Sequence, residues 1–335
     1  MIVENRLSSI DALKGLAILA VLLLHSLDPA ILGVIYGKIH IGQAVPIFVM
    51  ITFYLSFLSM ERRGEDIMSY YSLSRIKKMV QRIILPFFVV LLVQCILLLV
   101  FSRLELRTIL KSGGYGPGSY YPWIYLQVWL LVPVIYYLLK KCPVGGAVIV
   151  YVVCVALNVL CSYYCPDALW RLLVIRYLSL AVIAWIWMNF SEFHRVGKGV
   201  VFLLGALSLA YLLWFVRFDA SPFIYNFSWK TQNYPVYFWS LLVVLFLIWL
   251  IPKMPGVVRN CLVWLGVHSW EVFLAQMFFV SCVSLKRFSQ VFSFCMTQVF
   301  YVVFVCAVSI GSVWLFNVLK KRFKVHQLDE QIHEK

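Results

Sequence analysis

Asp11, Lys14 and His25 lie within RLSSIDALKGLAILAVLLLHS, Arg6 to Ser26, a stretch otherwise apolar enough to cross a membrane. Ionisable groups are costly in hydrocarbon, so they face a protein interior, a watery cavity or an interface. Lys14 and His25 are eleven residues apart, which at about 100° per residue returns to within about 20° of one helix face. Asp11 sits one turn before Lys14. The stripe therefore carries an acid, a base and an imidazole over a rise of roughly 16 Å, about half a bilayer core. An imidazole titrates near neutrality and can take or give a proton there. Asp11 and Lys14 are too far along the helix to touch His25, but they can pair and so reduce the cost of burial. Taken singly, Lys14 reads equally well as a snorkelling anchor and His25 as a helix-end residue at the interface. Their shared stripe favours a polar track leading across the membrane.

Three further groups could act with that stripe. Arg75, Lys78 and Arg82 are spaced by three and four, so on a helix they share one face that could grip phosphates. The same charges also serve as an ordinary topology signal. His268 and Glu271 are one turn apart in WLGVHSWEVFLAQM, with Gln276 beyond them, and a carboxylate inside a span is a functional candidate. Its possible partners are His268, Lys14 and Arg176; the competing reading is a structural clamp between helices. The stretch Lys111–Trp123 combines Gly113, Gly114, Gly116 and Gly118 with Tyr115, Tyr120, Tyr121 and Trp123. Such glycines let a backbone approach a ligand closely, and aromatic faces suit sugar rings, although an interfacial aromatic belt has the same composition.

These residues must be held by membrane helices. Hydrophobic residues make up 63% of the 335-residue chain and charged residues only 13%, more apolar surface than a soluble fold of this size can hide. The expected fold class is all-α, a polytopic membrane protein of about ten transmembrane helices. They are placed near Ile10–Leu27, Gly42–Met60, Ile83–Phe101, Trp123–Leu139, Val144–Ser162, Leu172–Phe190, Gly199–Val216, Pro235–Ile251, Cys261–Val283 and Met296–Leu319. Ile31–Tyr36 could be a short helix or part of a loop. The first segment is too long for a signal-peptide core and is read as a retained span. Residues 1–322 form the membrane domain and 323–335 a short tail.

The net charge of +15 is carried mainly by connections, not by a nucleic-acid groove. Arg62, Arg63, Arg75, Lys77, Lys78 and Arg82 precede the third span; Lys140 and Lys141, Arg195 and Lys198, Lys253 and Arg259, and Lys320 to Lys324 follow at alternate connections. That side is expected to be cytoplasmic, with both termini on it and His25 near the other face. The nine cysteines are scattered, most of them inside apolar runs, without metal-ligand spacing to histidine. Cys161 and Cys165 could meet near an outer surface.

The opening pattern, Arg6, then Asp11, Lys14-Gly15 and His25, resembles the start of the acyltransferase family 3 membrane proteins. Further segments are similar to that family in order and spacing. They are Ala44 to Phe57, with Pro46 and Phe48 in register, Tyr71 to Pro86, Gly116 to Pro133, Trp229 to Pro235 and Trp264 to Met277. The resemblance implies an integral-membrane O-acyltransferase of a bacterial cytoplasmic membrane, using cytoplasmic acyl-coenzyme A, most often acetyl, and no metal. The implied acceptor is a hydroxyl of an envelope glycan or lipid-linked saccharide, and the implied surroundings are membrane lipids.

In that scheme His25 is the candidate base, or is itself transiently acylated, with Lys14, Asp11 and Glu271 in the catalytic set. Arg75, Lys78, Arg82 and His268 are the donor-binding candidates. Tyr121, Gln127 and Lys230 are candidates for acceptor contacts. The chain departs from the family pattern at three points: Lys14 stands where Arg is usual, Thr52-Phe53 where Ser-Gly is usual, and Gln276 where His is usual. Lysine lacks the planar fork of arginine, so bidentate anchoring is lost there. Phe53 puts close helix approach in question. A transporter or flippase for lipid-linked saccharides is the alternative, but the repeated halves and broken paired spans of many transporters are not evident.

Overall fold

The computed structural model describes residues 2–64, 66–101, 104–218, 231–282 and 294–333. Helices dominate because apolar backbone in hydrocarbon must satisfy its own polar groups. In chain order they begin with α1 Ile2–Ser26, α2 Pro29–Val34, α3 Ala44–Arg63, α4 Ile67–Tyr70, α5 Leu73–Met79, α6 Leu85–Val100, α7 Leu106–Ser112 and α8 Tyr121–Lys141. There follow α9 Pro143–Tyr164, α10 Asp167–Leu172, α11 Leu180–Asn189, α12 Arg195–Phe218, α13 Tyr237–Leu250, α14 Gly256–Val267, α15 Ser269–Cys282 and α16 Phe294–His333. Among the described residues, nine helical stretches are long and apolar enough to cross a membrane, and α14 with α15 forms a pair bent by 72°. The protein is a polytopic all-α membrane protein. The segment at Ile31–Tyr36 proves to be mostly helical: Asp28 caps α2 by accepting from the Ala30 N–H at 2.8 Å. The backbone of α16 stays helical through residue 333, so the expected tail continues the last helix.

The most enclosed element is α3, wrapped by α1, α8, α11 and α13. Tyr54 stacks on Trp187 with ring centroids 4.0 Å apart, and Phe57 packs between Tyr136 and Trp185. Phe53, the residue that put close helix approach in question, is fully buried beside Phe57 and fills the core with a ring. By contrast, α6 leaves Leu92, Leu99 and Val100 outward, as a lipid-facing helix does.

Small residues do set one helix contact. A Cβ on Gly266 would lie 1.6 Å from the Asp11 carbonyl oxygen, and one on Gly15 would lie 2.0 Å from that of Leu262. Backbones in α1 and α14 thus approach as closely as glycine permits, the small-residue packing of membrane interfaces. Immediately afterwards the chain turns at His268. The continuous ninth span expected over Cys261–Val283 is therefore corrected to two helices, α14 against α1 and α15 against both α1 and α16.

The connection before α6 is irregular for a reason visible in sequence. Asp66 caps α4, accepting from the Ser69 N–H at 2.8 Å; these hydrogen bonds hold its carboxyl below the usual carboxylate range. Pro86 cannot donate a backbone hydrogen bond, and upstream of it Val80–Ile84 forms a π turn, in which Leu85 N–H reaches the Val80 carbonyl. The Tyr71 hydroxyl donates to the Leu130 carbonyl, tying this connection to α8.

Candidate functional site

One cavity of about 1010 Å³ collects most of the candidate residues. From α1 it takes Lys14, Ile18, Val21 and His25, a single stripe in which an apolar middle separates two polar ends. Lys14 pairs with Asp11 at 2.6 Å, both half-buried, so the pairing anticipated from their spacing is formed. Asp11 itself lies behind Lys14, outside the lining. Arg75 and Lys78 on α5 and Arg82 in the π turn supply three more cations, and Lys320 on α16 a fourth. Glu271 in the first turn of α15 also lines the cavity; it makes no ion pair among the described residues.

Burial differs between the two ends. Lys78, Arg82 and Lys320 are exposed, whereas His25 is half-buried. Arg75 is half-buried as well, its guanidinium 4.9 Å from the centre of the Tyr70 ring while Nη2 donates to Ser59 Oγ at 3.4 Å. The result is a basic, solvent-accessible end and an imidazole end, separated along α1 by roughly 16 Å.

The remaining wall is aromatic and unusually tight. Tyr121 lies 5.9 Å from Phe273 and 6.4 Å from Trp270, ring centre to ring centre. Beside them the backbone before α8 runs through left-handed conformations, Gly116 at φ 96° and Gly118 at φ 84°. A Cβ on Gly116 would meet Ser281 Oγ at 2.2 Å, and one on Gly118 would meet the Phe273 ring at 2.6 Å. The glycine-rich stretch thus presses against α15, with Gly118 on the cavity wall. Close backbone approach was foreseen for a ligand; here it serves helix packing. Tyr120, just before α8, also lines the cavity, and burial holds its phenol well above the ordinary tyrosine range.

Not every candidate joins the cavity. The Gln127 amide donates to the Leu172 carbonyl at 2.6 Å and the Trp123 carbonyl at 3.0 Å, and accepts from Val174 N–H at 3.0 Å. Both of its donors and one acceptor position are used, and two of the three bonds hold α8 to the segment before α11. His268 ends α14, packed on Trp264 at 4.9 Å and 3.5 Å from Asn317 Nδ2 through its Nδ1. The bend turns it away from Glu271, so the shared helix face expected for that pair is not formed. Lys230 lies outside the described residues. Gln276 is fully buried, and its amide has no hydrogen-bond partner among them. Cys161 and Cys165 are free thiols.

A second polar cluster lies off the cavity. Arg176 is fully buried, its guanidinium 4.4 Å from the Tyr177 ring centre and 4.7 Å from that of Trp170. The Tyr237 hydroxyl donates to the Arg176 carbonyl at 2.8 Å, and Tyr177 donates to Gln232 Oε1 at 3.2 Å. Asn158 donates to Asn233 Oδ1, while Ser240 donates to Gln43 Oε1 at 2.9 Å. These bonds anchor the segment entering α13.

Sequence reasoning passed over Lys320, which reads as a topology charge, and the hydroxyls of Thr52, Ser56 and Ser59, which line the cavity from α3. Their spacing of four and three was available as a signal. No group of three or more His, Cys, Asp or Glu is placed to hold a metal among the described residues.

A family model described as an acyltransferase domain matches residues 7–318 of the chain. No curated protein and no solved structure matches it.

Proposed function

The chain belongs to acyltransferase family 3 and is a multi-pass membrane acyltransferase; on that premise we propose that it moves an acyl group, acetyl first among candidates, from cytoplasmic acyl-coenzyme A to a hydroxyl of an envelope glycan or lipid-linked saccharide. The observation that supports this most is the cavity lined by four cations at its basic end and by His25 at the other. In this reading Arg75, Lys78 and Arg82, with Lys320, hold the donor's phosphates through charge-assisted bonds. The basic side is the cytoplasmic one, in a bacterial inner membrane, following the charge bias of the connections.

His25 takes the proton of the acceptor hydroxyl as its oxygen attacks the thioester carbonyl. The carbon–sulfur bond breaks, and the imidazolium returns the proton to the departing thiolate. The Asp11–Lys14 pair shapes the passage between the phosphate site and the imidazole. Glu271 balances the surrounding cations near the same passage. Tyr121 is the acceptor contact that best fits the cavity wall. The half-buried setting of His25 holds both reactants away from bulk water, so that positioning contributes alongside proton transfer.

The test is transfer of radiolabelled acetyl from acetyl-coenzyme A to membrane glycolipids by the purified protein in lipid. Label is expected in the glycolipid with wild type and absent with His25→Ala. Wild-type protein that neither binds nor consumes acetyl- or longer acyl-coenzyme A would sink the reading.

A further inference from the structure

Tyr36 stands alone among the described non-glycine residues in having a positive φ, 52°. It follows α2 in a two-bond cap: Tyr36 N–H reaches the Gly33 carbonyl at 3.1 Å and Gly37 N–H that of Leu32 at 2.7 Å. Glycine is the usual occupant of that left-handed position, because a Cβ crowds the backbone there. Strain of this kind persists where the surroundings hold it and where it serves something besides the fold. The fold gains little from this ring. Tyr36 is 57% exposed, and its side chain has no hydrogen bond or ring contact among the described residues. Its neighbours are exposed as well, Val34 by 79% and Ile35 by 41%.

The tip is exposed but held from both sides. On one side Asp28 N–H donates to Gln298 Oε1 in α16 at 2.9 Å. On the other, Trp239 Nε1 in α13 donates to the Ile39 carbonyl at 2.8 Å, and Gln43 Nε2 to that of Lys38 at 2.9 Å. These clamps hold two aliphatic side chains and a tyrosine out from the connection between α1 and α3. Both helices are long and apolar enough to cross the membrane, so the connection stands at a bilayer surface, on the side where α1 ends just past His25. Val34 and Ile35 suit the acyl boundary. A tyrosine joins an apolar ring to a hydroxyl and suits the headgroup level beside it. Lys38 is exposed next to the tip, where an ammonium can meet lipid phosphate. In water the apolar pair would stay without burial. We infer that Val34, Ile35 and Tyr36 form a wedge seated in the headgroup–acyl boundary of the leaflet on the His25 side, fixing the depth of that end of the cavity in the bilayer.

The test uses the full-length protein in lipid nanodiscs, with a fluorescent amino acid in place of Val34. Lipids carrying a nitroxide high on the acyl chain should quench it several-fold more than iodide in the buffer, and more than lipids labelled near the chain end. Dominant quenching by iodide overturns the inference, because the tip then stands in water. So does iodide quenching that is relieved by added envelope saccharide, which would make the tip an acceptor contact. Tyr36→Gly removes the ring and suits the left-handed backbone. Its unfolding temperature is therefore expected to hold or rise, while the label becomes several-fold more open to iodide. Tyr36→Trp keeps an amphipathic ring and should leave the label at its wild-type depth. A label that Tyr36→Gly also leaves at wild-type depth would show that the ring anchors nothing, and the wedge fails.

Discussion

The cavity wall and the cluster around Arg176 are both polar regions inside an apolar bundle, yet they treat their polar groups in opposite ways. In the Arg176 cluster, Tyr177, Tyr237 and Asn158 donate to acceptors of the protein itself, the Arg176 guanidinium stacks on aromatic rings, and Arg176 and Asn233 have no accessible surface. Along the cavity, Lys78, Arg82, Lys320 and Glu271 remain exposed and His25 half-buried, although burial elsewhere in the bundle is extensive. A membrane protein gains little from an unused charge, because desolvation costs more than an isolated pair returns. Polar groups that are consumed therefore mark architecture. Polar groups left facing a cavity mark chemistry.

Substitutions can break or sharpen that contrast. The largest effect on activity is expected from His25→Ala, a loss of at least about a hundredfold in acyl transfer with unchanged thermal stability. A comparable loss of both activity and stability would move His25 into the architectural class. Gly266→Ala places a methyl on the Asp11 carbonyl, and forcing α1 and α14 apart should cost about 1–3 kcal/mol, read as a fall in unfolding temperature. Asn233→Ala strands the Asn158 amide in the buried cluster; a cost of about 1–3 kcal/mol in stability is expected, with coenzyme A affinity unchanged. Reduced donor affinity at full stability would dissolve the distinction between the regions.

The smallest effects come from the exposed end and from the clip beside it. Lys320→Ala should weaken coenzyme A by only a few-fold in titrations, and the difference should shrink as salt is raised, because exposed charges are screened. Gln127→Ala should lower the unfolding temperature slightly and leave the acceptor KM unchanged, since its amide is spent on Leu172, Trp123 and Val174. A raised acceptor KM would return Gln127 to the substrate contacts.

Much of the fold was legible because hydropathy is a local property. The spans near Gly42–Met60 and Pro235–Ile251 needed no neighbour to be recognised, since each apolar run must cross as a helix. The stripe of Lys14 and His25 was equally local, because helical periodicity alone places them on one face. The ninth span was misread as continuous because its bend follows the contact of Gly266 with the Asp11 backbone, a partner far away in sequence. His268 lost its expected companionship with Glu271 for the same reason. Gln127 gave no sign that the Leu172 carbonyl would claim it. Hydroxyls in α3 looked like ordinary membrane-helix residues until the fold turned Thr52, Ser56 and Ser59 to the cavity and brought Arg75 onto Ser59.

By itself, the sequence determined the membrane class, the helical secondary structure and the facing of charged residues along α1, all set by hydrophobicity and a 3.6-residue period. Only the tertiary structure decided which charges converge. Lys320 joins Lys14, Arg75 and Arg82 from the far end of the chain, while Arg176 and Gln127 are drawn into the protein's own bonds. Whether a polar side chain is spent or left open depends on what packs against it, and no local pattern carries that information.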